Sequence, residues 1–201
     1  MIAIIDYGVG NLFSLVSSLK FLGIETIVTS NKEDIIKADK IILPGVGAFG
    51  DAIEKLEKTN LIPTIKDEVA KGKPLLGICL GMQLLFEESY EYGKYKGLGL
   101  IKGKVVEFDL PKNYKVPHMG WNSLDFCKKD NKLLSNINEG DYVYYVHSFH
   151  AVDCLENVVA TSRYGIDVVG MVANSNVYGT QFHPEKSGEV GLKILKAFAN
   201  L

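Results

Sequence analysis

The segment at residues 77–81 has the pattern G-x-C-x-G, with Cys79 at its centre. This spacing is typical of a strand–turn–helix in which a nucleophile occupies a strained turn and the flanking glycines avoid steric clashes. A thiol in that turn lies at a helix N-terminus, where the helix dipole favours the thiolate and the N–H of Leu80 faces a developing oxyanion. The pattern predicts Cys79 as a nucleophile and Leu80 as an oxyanion donor. A structural cysteine in a glycine-rich turn is the alternative.

A thiol nucleophile requires a base, and four histidines are available. His183 lies in the segment Q-F-H-P-E at residues 181–185, where Pro184 favours an extended conformation of His183. In an extended chain residues 183 and 185 point to the same side, so we expect Glu185 to bind one ring nitrogen while the other faces the thiol. Alone, the segment fits an ordinary surface turn. Together with the cysteine turn it predicts a triad of Cys79, His183 and Glu185.

A second turn with two glycines, P-G-V-G at residues 44–47, follows the apolar residues 40–43. Open parallel sheets bind ligands at the carboxyl ends of their strands, which is where this turn is expected to lie. Glycines on both sides of Val46 allow the backbone to direct an N–H into a site. The pattern predicts Val46 as a second oxyanion donor, with an ordinary strand-to-helix turn as the alternative.

Two further groups of residues resemble ligand sites and fail on spacing. Residues 8–10 read G-V-G after the first apolar run, but Phe13 stands where a dinucleotide-binding fingerprint requires its third glycine. The spacing of zinc ligands is absent from the remaining histidines, which are His118, His147 and His150. The sequence therefore predicts neither a cofactor nor a metal ion.

These groups need a fold that brings the ends of several strands together. In the first half of the chain, short apolar runs alternate with segments of helical periodicity. Strands are predicted at residues 2–5, 25–29, 40–43 and 74–78, and helices at residues 12–22, 49–58, 61–71 and 82–88. This β-α-β-α order predicts a parallel sheet with helices on both faces.

Beyond about residue 95 the segments become short and alternating, as is typical of antiparallel strands joined by tight turns. Strands are predicted at residues 100–108, 142–149, 157–163, 168–173 and 177–182, turns at 164–165 and 174–176, and a final helix at 188–201. No repeat or linker divides the chain. We therefore expect a single α/β domain over residues 1–201, with a central, mostly parallel sheet to which antiparallel strands are added.

The composition narrows the class of partner. The 201 residues carry 22 lysines and arginines against 24 acidic residues, a net charge of −2, and Arg163 is the only arginine. Nucleic-acid-binding proteins usually have a basic excess with arginines for bidentate contacts, so nucleic acid is not expected as a partner. No apolar run is long enough to predict a membrane span. Three scattered cysteines and the absence of a basic, apolar leader favour a reduced, cytoplasmic location.

Five segments, taken together, resemble one family. They are PGVG at residues 44–47, GICLGMQLLFE at 77–87, PHMGWN at 117–122, YYVHSFHA at 144–151 and GTQFHPEKS at 179–187. In this order the chain is similar to the glutaminase subunits of imidazole glycerol phosphate synthase, which are class I glutamine amidotransferases of histidine biosynthesis. The cysteine turn and H-P-E indicate the superfamily, whereas PHMGWN and V-H-S are specific to this subunit. The resemblance implies a flavodoxin-like amidotransferase domain.

The resemblance also implies a substrate. Cys79 would attack the side-chain carboxamide of glutamine, His183 would pass the proton to the leaving ammonia, and the resulting thioester would be hydrolysed to glutamate. Positions that hold glutamine in the family correspond to Gly47, Gln83, His147, Ser148 and Phe149. The family often has tyrosine where this chain has Phe149.

A partner follows from the same resemblance. Ammonia would pass to a cyclase subunit, a (β/α)₈ barrel, in a heterodimer that makes imidazole glycerol phosphate and an aminoimidazole carboxamide ribonucleotide. The barrel, and not this chain, would bind the phosphate groups of the nucleotide substrate. A single arginine in this chain is consistent with that arrangement. Family positions at or near the interface correspond to Asn11, Pro117, His118, Met119, Gly120, Trp121, Asn122, Tyr144 and Lys186.

Three other functions compete with this interpretation. A paralogous glutaminase could supply ammonia to a barrel that aminates a nucleotide sugar, and nothing in one sequence excludes it. A noncatalytic module that retained the fold would be expected to lack a triad residue, yet all three are present. A cysteine peptidase would have no use for the segment PHMGWN.

Overall fold

The computed structural model describes residues 1–201 and contains fourteen strands and six α-helices. The strands are β1 (Ile2–Ile5), β2 (Thr26–Thr29), β3 (Lys40–Leu43), β4 (Leu75–Ile78), β5 (Phe86–Ser89), β6 (Tyr95–Lys96), β7 (Ile101–Glu107), β8 (His118–Ser123), β9 (Asp125–Phe126), β10 (Tyr142–His147), β11 (Phe149–Val152), β12 (Val158–Tyr164), β13 (Ile166–Asn174) and β14 (Val177–Thr180). The helices are α1 (Leu12–Phe21), α2 (Lys32–Lys37), α3 (Phe49–Lys58), α4 (Ile62–Ala70), α5 (Leu80–Leu84) and α6 (Gly188–Ala199).

An eight-stranded sheet in the order β2-β1-β3-β4-β14-β13-β12-β9 forms the centre of the molecule. Its pairs are parallel from β2 to β14 and antiparallel from β14 to β9. The predicted mixed sheet, parallel in the first half and antiparallel later, is therefore confirmed. The register of β4 with its two neighbours brings the carboxyl ends of β3, β4 and β14 side by side, which is the edge where such sheets bind ligands.

Both faces of the inner parallel strands β1, β3, β4 and β14 are buried, as continuous apolar runs require, whereas the edge strand β2 is partly exposed. Side chains alternate across the sheet, so Ile41 and Leu43 of β3 pack into one apolar cluster and Ile42 into the other. The first cluster includes apolar residues of α3, α4 and α5, and the second includes those of α1 and α6. Helices thus cover both faces, as predicted.

Two smaller sheets lie outside the central one. The strands β11-β7-β5-β6 form a four-stranded sheet, and β10 pairs with β8 in an antiparallel ribbon. The strand predicted at residues 142–149 is divided between these sheets, because β10 ends at His147 and β11 begins at Phe149. None of the helices is both long and apolar enough to cross a membrane.

The helix predicted at residues 82–88 is present only as far as Leu84, and the prediction is wrong beyond it. The helix after Cys79 ends at Leu84, and Phe86–Ser89 forms β5, which pairs with β6 and β7. Pairing with strands further along the chain outweighs the helical propensity of this segment. The short helix α2 and the strands β6, β8 and β9 were not predicted, since each is too short to show a clear period.

Candidate active site

The predicted turn around Cys79 is present between β4 and α5. Cys79 directly follows the strand, with φ 54° and ψ −111°, and the helix begins at Leu80. A side chain at positive φ is strained, and such strain occurs most often at functional sites. A Cβ on Gly81 would lie 1.8 Å from the carbonyl oxygen of Leu43, and one on Gly77 would lie 2.6 Å from the oxygen of Gly81. The flanking glycines are therefore required by close backbone contacts.

His183 and Glu185 form the predicted pair. Nδ1 of His183 and Oε1 of Glu185 are 2.8 Å apart, and both side chains are almost fully buried. His183 is extended, but Glu185 lies in the short 3-10 helix Pro184–Lys186 and not in an extended chain as predicted. The contact is thus made by a tight turn that brings Glu185 back toward the ring. Ser187 reinforces this turn, because its hydroxyl donates to the carbonyl of His183 at 2.6 Å.

The second nitrogen of His183 is free for chemistry. Nε2 is buried and has no hydrogen-bond partner within the protein. The pKa of His183 is raised to about 10, because the effect of burial, which lowers it, is outweighed by the nearby Cys79 thiol and the Glu185 carboxylate. Cys79 Sγ is close enough to act on this pKa, although Nε2 and Sγ do not meet the geometry of a hydrogen bond. The imidazole is therefore held ready to carry a proton beside the thiol.

A pocket of about 310 Å³ opens over the thiol. It is lined by Val46, Gly47, Cys79, Leu80, Gln83, Glu91, Pro117, Val146, His147, Ser148, Phe149 and His183. All the residues predicted to hold substrate or oxyanion are in this set, together with the thiol and its base. The volume is at the lower end of the range for small-molecule sites, which fits a ligand the size of an amino acid.

The predicted oxyanion donors border this pocket. The N–H of Leu80, at the helix N-terminus, donates to no carbonyl or side chain of the protein. Val46 is exposed and is followed by Gly47 at φ 96°. The turn at Gly45 packs closely against α5, since a Cβ on Gly45 would lie 2.8 Å from the nitrogen of Gly81. The hydroxyl of Tyr7 donates to the carbonyl of Pro44 at 2.6 Å and fixes the start of this turn.

Hydrogen bonds link two amide side chains to each other and to a main-chain carbonyl in the pocket wall. Nε2 of Gln83 donates to the carbonyl of Phe149 at 3.1 Å and to Oε1 of Gln181 at 3.0 Å. Oε1 of Gln83 accepts no hydrogen bond within the protein, and Gln83 lines the pocket. Gln181 was not singled out from the sequence, because its role depends on side chains that only the fold brings together.

His147 lies in the wall with both ring nitrogens occupied. Nδ1 is 2.8 Å from the carbonyl of Phe149, and Nε2 is 2.9 Å from Nδ1 of His118. Burial lowers the pKa of His147 to about 3, so the ring is neutral. Its imidazole therefore has no free nitrogen to offer a ligand, and its contribution to the pocket is steric.

Glu91 is a pocket residue that the sequence interpretation missed. Its Oε2 accepts from the N–H of Phe49 at 2.7 Å, and burial raises the pKa of the carboxyl. The residue follows β5, which was predicted as helix, so its position could not be foreseen. No spacing signal links Glu91 to Cys79; only the pairing of β5 with β7 brings it to the pocket.

The predicted interface residues lie mostly on one surface. Trp121 of β8 is paired with Tyr144 of β10, and their rings make an edge contact at 5.9 Å. Met119 and Trp121 are exposed to 59% and 52%, and Pro117 joins this surface to the pocket. Gly120, Asn122 and Asn11 are half-buried and Lys186 is exposed.

His118 differs from the other predicted interface residues in its burial. Its side chain is fully buried, stacked between the rings of Tyr145 and Tyr164. Its nitrogens bond to His147 and Asn122. The side chain therefore has no surface to offer a partner, because the side chains of a strand alternate between the two faces and His118 points inward, whereas Met119 points outward.

A strained cysteine after a parallel strand, with a carboxylate-bound histidine beside it at the same edge of the sheet, is the arrangement expected of a thiol nucleophile and its base on an open α/β sheet. The chain belongs to the class-I glutamine amidotransferase family, whose description its sequence matches over residues 3–200. Two curated relatives narrow the comparison to one subunit within this family, because both are named imidazole glycerol phosphate synthase subunit HisH. The Bacillus cereus (strain G9842) protein is 53% identical over 199 residues, covering 98% of this chain and 93% of the relative. The Caldanaerobacter subterraneus protein is 52% identical over 202 residues, covering 100% and 98%.

Solved structures share the fold at lower identity. PurLQS from Thermotoga maritima has a TM-score of 0.78 at 23% identity, covering 99% of this chain and 97% of that chain. A structure described as a glutamine amidotransferase has a TM-score of 0.76 at 20% identity, covering 99% of both chains. These likenesses show the same fold.

Proposed function

We propose that this protein hydrolyses glutamine to glutamate and ammonia, and supplies the ammonia in histidine biosynthesis as a subunit of an imidazole glycerol phosphate synthase. The observation that carries the proposal is the strained Cys79 beside a histidine whose other nitrogen is bound by Glu185, within a pocket of amino-acid size. The names of the relatives, which match over nearly the whole chain, favour the histidine pathway over a nucleotide-sugar acceptor.

The reaction begins with attack of Cys79 Sγ on the carboxamide carbon of glutamine. The oxygen of that carboxamide becomes an oxyanion, which accepts from the free N–H of Leu80 and from the turn at Val46. His183 takes the proton of the Cys79 thiol as the sulfur attacks and donates that proton to the leaving nitrogen, so that ammonia departs and a γ-glutamyl thioester remains on Cys79. Water then attacks the thioester, His183 takes a proton from it, and glutamate leaves as the thiol is restored.

Substrate orientation comes from the opposite wall of the pocket. The free Oε1 of Gln83 and the second oxygen of Glu91 are acceptors that suit the α-ammonium group of glutamine. Binding a cation there would favour the ionised form of Glu91, whose pKa burial raises in the empty pocket. The peptide groups of Ser148 and Gly47 are available for the α-carboxylate.

The partner is proposed to be a (β/α)₈ barrel cyclase that forms a heterodimer with this chain. Its docking surface would be the exposed part of β8 and β10, with Met119 and Trp121 as apolar contacts. Pro117 precedes β8 and lines the pocket, so a partner on this surface lies at the mouth of the site that releases ammonia. A subunit placed there can receive ammonia before it reaches bulk water.

A coupled assay with the purified cyclase subunit and its nucleotide tests this function. The wild-type chain should release glutamate and support cyclisation with glutamine. Cys79→Ala should abolish both, while cyclisation with added ammonium salt continues because the partner still folds and binds. Cys127→Ser is the matched control, since Cys127 is exposed and does not line the pocket, and it should behave as wild type. Persistent glutamate release by Cys79→Ala would overturn the proposal.

A further inference from the structure

Gln181 lies between the thiol and the substrate-binding wall, and neither the sequence pattern nor the triad accounts for it. It directly follows β14, its side chain is fully buried, and its own N–H donates to the carbonyl of Gly170 at 2.8 Å. Its side-chain Nε2 is 3.8 Å from Sγ of Cys79, within the range of an N–H···S hydrogen bond. A buried amide directed at a nucleophile is a costly group to retain without a role.

The direction of this amide is fixed by its neighbours. A main-chain carbonyl can only accept, so the Gln83 nitrogen must be the atom that faces Phe149 O. The other hydrogen of that nitrogen is donated to Oε1 of Gln181. If the Gln181 amide turned over, two NH₂ groups would face each other in a buried space. The N–H side of Gln181 is thereby directed at the sulfur.

The other groups around the Cys79 sulfur show why a hydrogen-bond donor matters for its thiolate. The carbonyl oxygen of Val146 lies 4.0 Å from Sγ, and its partial negative charge disfavours a thiolate. The titratable groups that face the thiol are His183 after β14 and Tyr7 after β1, while Glu91 and His147 lie across the pocket. Of these, His183 favours the thiolate when protonated, and neutral Tyr7 and His147 contribute little charge. Gln181 is the uncharged side-chain donor aimed at the sulfur.

We propose that Gln181 is a catalytic residue that stabilises the thiolate of Cys79 through an N–H···S hydrogen bond, with the polarity of its amide set by Gln83 and the carbonyl of Phe149. The donor favours the thiolate before attack on the carboxamide, and it favours departure of the same thiolate when the thioester is hydrolysed. The effect on thioester hydrolysis rests on the proposed function, whereas the effect on ionisation is a property of the thiol alone.

The ionisation of Cys79 can be measured without turnover. Alkylation by iodoacetamide is followed across pH by mass spectrometry of the peptide that contains Cys79. Gln181→Met keeps the size of the side chain and removes the donor, and Gln181→Glu keeps the acceptor for Gln83 while replacing the donor by an oxygen. In both variants the alkylation midpoint should move to higher pH, by about one unit in Gln181→Met. kcat for glutamine hydrolysis should fall by roughly tenfold or more, with a smaller change in KM.

Two controls separate this role from a general loss of structure. The alkylation midpoint of exposed Cys127 in the same samples should stay constant in every variant. Thr180→Val removes a buried hydroxyl, which has no hydrogen-bond partner, from the residue before Gln181, and should leave the Cys79 midpoint unchanged. An unshifted midpoint in both Gln181 variants overturns the inference even if glutamine is hydrolysed. Absence of hydrolysis in the wild-type complex, with the midpoint still shifted in the variants, overturns the proposed function and leaves the thiol assignment standing.

Discussion

At the level of single residues, two histidines border the pocket and only one has a free ring nitrogen. His147 is neutral, with Nδ1 bonded to a carbonyl and Nε2 bonded to His118. His183 has one nitrogen on Glu185 and the other unpartnered beside Cys79. A general base must reach the group that it deprotonates, so hydrogen-bond occupancy favours His183 as the proposed base, in agreement with the H-P-E pattern.

The paired substitutions His183→Asn and His147→Asn test this distinction. We expect kcat for glutamine hydrolysis to fall by several orders of magnitude in His183→Asn, as for other triad members. In His147→Asn the pocket wall shifts but the base remains, so a loss of roughly tenfold is expected. Steady-state glutamate release measures both. If kcat falls as far in His147→Asn as in His183→Asn, the assignment of the base to His183 is wrong.

The raised pKa of His183 makes a prediction about stability and pH. Because the pKa in the folded protein, about 10, exceeds the ordinary value of 6.5, the protonated ring stabilises the fold fully below pH 6.5, and this contribution is lost as pH rises toward 10. Glu185→Gln removes the anionic partner, so its free energy of unfolding should fall less steeply over that interval. Urea denaturation at several pH values gives both slopes, and equal slopes would contradict the assigned cause.

At the level of elements, the turn between β4 and α5 depends on glycines that allow backbone segments to touch. Gly81→Ala illustrates this, because alanine would normally strengthen a helix, yet here its Cβ would meet Leu43 O. We expect the free energy of unfolding to fall by roughly 3 kcal/mol. Gly140→Ala is the control, since its Cβ has open space and only positive φ opposes it, at a cost of about 1 kcal/mol. Urea unfolding compares the two, and similar losses would contradict the close-contact argument.

Elements with a clear period were predictable from the sequence. The apolar runs at β1, β3 and β4 and the helical stripes of α1, α3 and α6 correspond to buried strands and amphipathic helices. The strand–turn–helix at Cys79 and the His183–Glu185 contact were predictable because each depends on residues close in sequence.

Features set by distant pairing were not predictable. Strand β5 forms because β6 and β7 pair with it, and this pairing brings Glu91 to the pocket. Gln181 and Gln83 meet only when β14 packs beside β4, and His118 is buried by Tyr164 from another strand. No local pattern encodes contacts between residues so far apart.

At the level of the whole molecule, the exposed face of β8 and β10 borders the pocket mouth, and we expect the partner to cover it. Trp121 is the only tryptophan and reports on this face directly. Labelling this chain with 5-fluorotryptophan gives a single fluorine resonance, which should shift on addition of the unlabelled cyclase. Tyr114, also exposed but outside β8 and β10, is the matched position for a fluorotyrosine control whose signal should not move. Binding of the cyclase is demonstrated independently and brought to saturation. If the Trp121 resonance is then unchanged, this face is not part of the interface.

Covalent hydrolysis of glutamine by Cys79 can be tested by trapping the acyl-enzyme. The complex with the cyclase and its nucleotide is quenched in acid during turnover, and the chain is analysed by intact mass and by peptide mapping. We expect an added mass of one glutamyl group on the peptide that contains Cys79, which disappears when glutamine is exhausted and never forms in Cys79→Ala. Glutamate release with no such adduct, or with the adduct on another residue, would contradict covalent catalysis by Cys79.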